Sequence, residues 1–193
     1  MSYNPANWYW IAGNKPGVVF ASARSAYVPP GDASYAAWLV AGNQPTPILC
    51  DGELAHVLWK SGLVAAARAA GVTSLGAAGG MTADDAVAML CALGIEIAST
   101  STPALDGVYP ADPGSRSALQ GLLVGYMLRG VFPGGLATVA YLDATGAAHA
   151  MTQPQLQAVG AAMEDYVAAV IAWGLEFAAN PLLAPPSAAA TIA

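Results

Sequence analysis

TVAYLDATGAAHAMTQPQLQAVGAAMEDYVAAVIAWGLEF, residues 138–177, reads as a β-hairpin that passes directly into one long amphipathic helix. TVAYL and AAHAM flank Asp143-Ala144-Thr145-Gly146, a turn signal with a glycine available for positive φ. Thr152 with Gln155 makes a capping box, and Pro154 is tolerated in a first turn, where its missing N–H has no helical partner. The spacing predicts a helix over 152–179. Its apolar positions Leu156, Val159, Met163, Tyr166, Val170, Trp173 and Phe177 alternate three and four apart, the a/d pattern of a helical seam. That seam is a predicted interface, and the same spacing serves a three-to-four-helix bundle inside one chain.

Upstream, Thr82-Ala83-Asp84-Asp85 resembles a capping box and starts a helix carrying Val87, Leu90, Leu93 and Ile97 on one face. Ser99-Thr100-Ser101-Thr102-Pro103 breaks it, and Asp112-Pro113 supplies a cap and a first-turn proline for a helix running to Arg129-Gly130. At the other end, WYWIA (8–12) and VVFASARSAYV (18–28) are strand-like runs around Gly13-Asn14-Lys15-Pro16-Gly17, a hairpin turn cluster. Asp32 caps a short helix with Tyr35, Trp38 and Leu39, the prolines at 45 and 47 hold an extended link, and Asp51 repeats the capping signal for Leu54, Val57 and Leu58.

The expected fold class is α+β. A small N-terminal β-hairpin with short helices (β-β-α-α, 1–62) is followed by an Ala/Gly-rich linker (63–81), which includes a possible helical piece, LVAAARAAG. A C-terminal domain (82–180) has three main helices and an inserted β-hairpin, and a Pro/Ala tail (181–193) is expected to have no structure of its own.

The chain has 193 residues, 56% hydrophobic and 9% charged, so it can bury a core. Six Lys+Arg against twelve Asp+Glu give a net charge of -6, which leaves no basic surface for phosphates or an anionic membrane. So few charges leave much of the exterior apolar or covered by another chain, and self-association or a protein partner is expected. Cys50 and Cys91 form no CxxC, MSYNPANWYW lacks a basic-then-apolar leader, and the apolar run Leu119–Leu128 is well short of the ~20 residues of a spanning helix. A soluble chain on the cytoplasmic side is expected.

Chemistry-bearing residues are sparse. His56 and His149 lack acidic or Cys partners at ligand spacing and read as structural or surface histidines. Cys50 precedes a helix start, where a thiol can be activated, but a small buried residue is the better reading. The 71–80 stretch has no GxGxxG or GxxxxGK[ST], Gly114-Ser115 lacks the second glycine of a nucleophile elbow, and Asp84-Asp85 and Glu164-Asp165 are helix neighbours that diverge. No catalytic residue, cofactor or metal is expected. The aromatics Tyr3, Trp8, Tyr9, Trp10, Phe20, Tyr27, Tyr35 and Trp38 fit the core of a small unit, with Trp8 or Tyr9 as candidate interface anchors.

The order of elements over 82–180 resembles a domain of unknown function common in the tail-fibre region of tailed bacteriophages. VYPADPGSRSALQGL (108–122), VAYLDATGAAHAMT (139–152) and QLQAV…YVAAVIAW (155–173) carry the likeness. WYWIAG…VFASARSAYVPPGDASYAAWLVAGNQPTPI is similar to the opening of phage tail-region proteins, including fibre-assembly proteins. The resemblance implies a non-enzymatic tail protein of the fibre or baseplate, a virion component or an assembly factor, found in the virion or in the host cytoplasm during assembly. Its partners would be other tail or fibre proteins or further copies of itself. A carbohydrate- or receptor-binding module using the N-terminal aromatics is the alternative.

Overall fold

The computed structural model describes residues 3–75, 81–180 and 183–193, and its class is α+β. Two compact units share the chain, Met1–Met89 with Gly174–Pro185, and Leu90–Trp173 with Pro186–Ala193. This division departs from the expected boundaries at 62 and 82.

The first unit is a sheet in the order β3-β2-β1-β4, formed by β1 (Tyr9–Ala12), β2 (Val19–Ala21), β3 (Ala26–Val28) and β4 (Thr46–Ile48). The expected hairpin is β1–β2. The 45–47 link is more than a spacer, since Thr46–Ile48 pairs parallel to β1. Two-residue alternation and the register set Trp10, Phe20 and Tyr27 on one face and Tyr9, Val19, Ala21 and Val28 on the other. Helix α1 (Ala33–Val40) covers the second face, its Tyr35 and Trp38 rings lying 4.9 and 5.0 Å from Tyr9. Asp32 Oδ1 caps it by accepting from the Ser34 and Tyr35 N–H groups, and a two-bonded pair with Arg24 steadies the cap.

Helix α2 (Asp51–Lys60) packs on α3 (Val64–Ala70), and Tyr27 donates its hydroxyl to Ala70 O from the first face. The expected linker therefore contributes a packed helix, with Ala66, Ala67, Ala70 and Leu75 buried. Small alanines let α3 lie close to its neighbours, which is why this stretch shows no periodic face of large residues. Residues 76–80 of the expected linker lie outside the described residues.

Helix α4 (Ala83–Leu93) ends four residues before Ile97, contrary to the reading that placed Ile97 on it. Gly94 turns the chain at φ +83°, where a Cβ would overlap Tyr109 O. Ile95–Ser99 continues as β5, with Ile95 and Ile97 buried and Glu96 and Ala98 exposed. Over five residues, two-residue and helical periods are hard to separate. β5 is the central strand of the second unit, antiparallel to β6 (Gly107–Tyr109) and parallel to β9 (Ala189–Ile192). The tail is thus no free end, because the open edge of β5 gives its backbone a partner across ninety residues of sequence.

Helix α5 (Pro113–Arg129) is capped by Asp112 and stopped by Gly130. The hairpin of β7 (Thr138–Leu142) and β8 (Ala148–Thr152) leads into α6 (Gln153–Phe177), close to the predicted 152–179. The capping box closes from one side, with Gln155 Oε1 accepting from both the Thr152 N–H and its hydroxyl. Pro181, expected as the stop, lies outside the described residues.

Where α5 meets α6, a Cβ on Gly160 would stand 2.8 Å from Leu119 Cδ2. Gly160→Val should therefore displace the buried Leu119 side chain and cost about 1–3 kcal/mol, read as a lower denaturant midpoint.

Candidate functional site

All seven predicted seam positions, Leu156, Val159, Met163, Tyr166, Val170, Trp173 and Phe177, are buried within the chain itself. The expectation that they form an interface is corrected to an internal packing face. Tyr166 reaches from that face to donate to Leu90 O at 3.2 Å. Its hydroxyl is pushed up by burial, so it stays neutral. The same buried face accounts for much of the hydropathy of α6, which by length and composition alone could cross a membrane and is the longer apolar segment that the 119–128 reading overlooked.

The N-terminal anchors also turn inward. Tyr9 and Trp10 are buried, and Trp10 Nε1 donates to Ser22 Oγ at 2.9 Å. Trp8 is half-buried, its Nε1 held by Thr46 Oγ1 and its ring edge-on to Trp38 and Tyr3. Of these rings only Tyr3, 53% exposed, is open, so a sugar-stacking face would rest on it and the half-buried Trp8.

Two polar nodes were not legible in the sequence. The first centres on Asp51, expected as a helix cap and found instead as the first residue of α2, with a fully buried side chain. Its carboxylate accepts from the Thr73 hydroxyl at 2.6 Å and from the Thr73 and Ser74 N–H groups at 3.2 Å, while Lys15 Nζ stands 3.3 Å away. Burial pushes this carboxyl up, but the donors outweigh it and hold it below its ordinary value. Gly52 makes the close approach possible, since a Cβ there would overlap Ser74 O. Apart from Lys15, these partners of the Asp51 carboxylate tie α2 to the segment at Thr73 and Ser74, so the arrangement is a structural clamp.

The second node joins Asp143 to His149. His149 does have an acidic partner, contrary to the reading of its neighbourhood, because the hairpin folds a residue six positions away onto it. Its Nε2 faces Asp143 Oδ2 at 3.2 Å and its Nδ1 faces Ala104 O at 2.7 Å, against the Tyr109 ring. Asp143 Oδ1 accepts from the Thr145 and Ala147 N–H groups and the Thr145 hydroxyl. Burial raises this carboxyl, and those donors with His149 bring it down to about 2. Both ring nitrogens are engaged by acceptors, so the dyad has no open position from which to take a substrate proton.

Cys50 and Cys91 are free and buried, and burial pushes the Cys91 thiol up, away from reactivity. His56 lies half-buried and stacked on Trp59, its basicity lowered by burial. No group of three or more His, Cys, Asp or Glu among the described residues is placed to hold a metal.

Grooves remain open, among them one of about 410 Å³ between α6 and β9 that Asp165, Ser187 and Thr191 make partly polar, and a more apolar one beside α5. The latter, shallow and of about 420 Å³, runs between Ser115, Ala118 and Leu122 of α5 and Ala140, Tyr141 and Leu142 of β7. Val124, Met127 and Leu128 of α5, with Val131 and Leu136 after it, are exposed. α5 buries only Leu119 fully, so most of its surface faces outward.

The family model described as Domain of unknown function (DUF4376) matches residues 84–192, more than half of the chain and the span from α4 to β9. No curated protein and no solved structure matches this chain.

Asp51→Ala should cost about 1–3 kcal/mol in chemical denaturation, because it removes a buried acceptor from the Thr73 hydroxyl and the part-buried N–H groups of Thr73 and Ser74. The Asp143 carboxyl lies at about 2 when folded and ordinarily at 3.8, so its contribution is full above pH ~4 and lost as pH falls through about 2. Asp143→Asn should flatten that part of the acid-unfolding profile and leave the rest unchanged.

Proposed function

We propose, for a chain that belongs to the DUF4376 family, a non-enzymatic role in the tail of a tailed bacteriophage, exercised through protein–protein contacts. It acts at the fibre or baseplate, as a structural component of the virion or as a fibre-assembly factor in the host cytoplasm. The observation that carries this reading is the unpartnered apolar surface of α5 and the segment after it, in a chain with only 9% charged residues. The sequence resemblance over 82–180 supplies the tail context.

The polar groups support the same direction. Asp51 and the Asp143–His149 pair spend their hydrogen bonds on the chain's own backbone and side chains. The N-terminal rings are largely consumed by the core of their own unit, which weighs against the carbohydrate alternative.

Mass spectrometry of purified virions, paired with deletion of the gene, tests the role. A virion component appears at a fixed multiple of the tail symmetry, and an assembly factor is absent from virions although its deletion leaves them without normal fibres. Virions that lack the protein and keep normal fibres after deletion would overturn both forms.

A further inference from the structure

We infer that two copies of this chain pair through the exposed face of α5, helix against helix, antiparallel about a two-fold axis. The inference rests on the protein-contact reading above and names its partner. Ser117, Gly121, Val124 and Leu128 recur four and three apart, which is seam spacing, and every one of them is exposed. α6 carries the same spacing with its seam covered by the chain itself. α5 therefore holds a second seam with nothing on it.

The stripe is uncharged. Arg116 is turned to Glu164 at 3.1 Å, and Arg129 lies about 100° around the helix from Leu128. A charged partner surface is thus disfavoured, and an apolar helix suits it.

A second copy supplies such a helix with matching shape. The N-terminal half of the stripe is small, Ser117 and Gly121, and the C-terminal half is large, Val124 and Leu128. An antiparallel pair with its axis between residues 122 and 123 sets Leu128 against the partner's Ser117 and Val124 against the partner's Gly121. Large meets small at each position. A Cβ on Gly121 would meet nothing within 4 Å, so the chain's own packing does not require a glycine there, although glycine weakens a helix interior. Close approach of a second backbone does require one.

Val124 (54% exposed) and Leu128 (81%) are open on the stripe, Met127 (76%) flanks it, and Val131 (39%) and Leu136 (57%) are open just past the helix; together they leave on the order of 600 Å² per chain, which reaches the lower end of a stable interface when a partner covers all of it.

Sedimentation of the full chain at roughly 10–100 µM tests the pairing. A dimer is expected, and Leu128→Arg and Gly121→Leu should each raise its dissociation constant at least ~10-fold with the far-ultraviolet circular dichroism unchanged. Gly121→Leu fills open space and favours the helix, so a loss of pairing there is separate from misfolding. A monomer, a trimer or a dimer indifferent to both substitutions would overturn the proposal. A monomer that still enters the virion removes the pairing and keeps the tail role. A Gly121-sensitive dimer that virions lack and fibres do not need keeps the pairing and removes the tail role.

Discussion

Leu119 of α5 seated over Gly160 of α6 is the contact on which the arrangement of the C-terminal unit depends. α5 buries no other side chain fully, so this close approach, with Arg116 and Gln120 both reaching Glu164, holds the helix in place. Once α5 is placed, Ser115 O accepts the Tyr141 hydroxyl and positions the hairpin. The hairpin then sets the start of α6 through Thr152 and pins the 103–109 segment through His149 and Ala104. A missing side chain at one position thus supports a chain of contacts through four elements, because helices can approach this closely only where no Cβ intervenes.

Polar chemistry in this protein is directed at its own backbone. Asp32 and Asp112 cap helices, Asp51 gathers the 73–74 N–H groups, and Asp143 closes its turn. Glu53 and Asp106 likewise accept the Leu49 and Ser99 N–H groups, so of twelve acidic residues in 193 at least six serve as local acceptors for backbone groups. Much of the rest of the surface carries alanine and larger apolar residues.

Much of the fold was legible in the sequence because its signals are local. The hairpin at 138–152, the caps at Asp32 and Asp112, the stop at Gly130 and the extent of α6 each depend on a few adjacent residues. The failures share the opposite property. β4 and β9 are strands only because β1 and β5 offer them open edges, Ile97 joined a strand because Gly94 turned the chain, and α3 packs through alanines that give no periodic signal. The polar nodes were hidden for the same reason: Thr73 lies 22 residues from Asp51, and Ala104 lies 45 from His149.

The sequence by itself determined that this is an α+β chain with few charges, a hairpin feeding a long helix, and apolar seams at helical spacing. Spacing states that a face is apolar, and the energy of burying it is indifferent to whether the cover comes from the same chain or another. Only the tertiary structure decided that the seam of α6 is covered from within and the stripe of α5 is left outside. Leu119 over Gly160 turns one side of α5 inward, and Gly121, Val124 and Leu128 on its far side consequently face out.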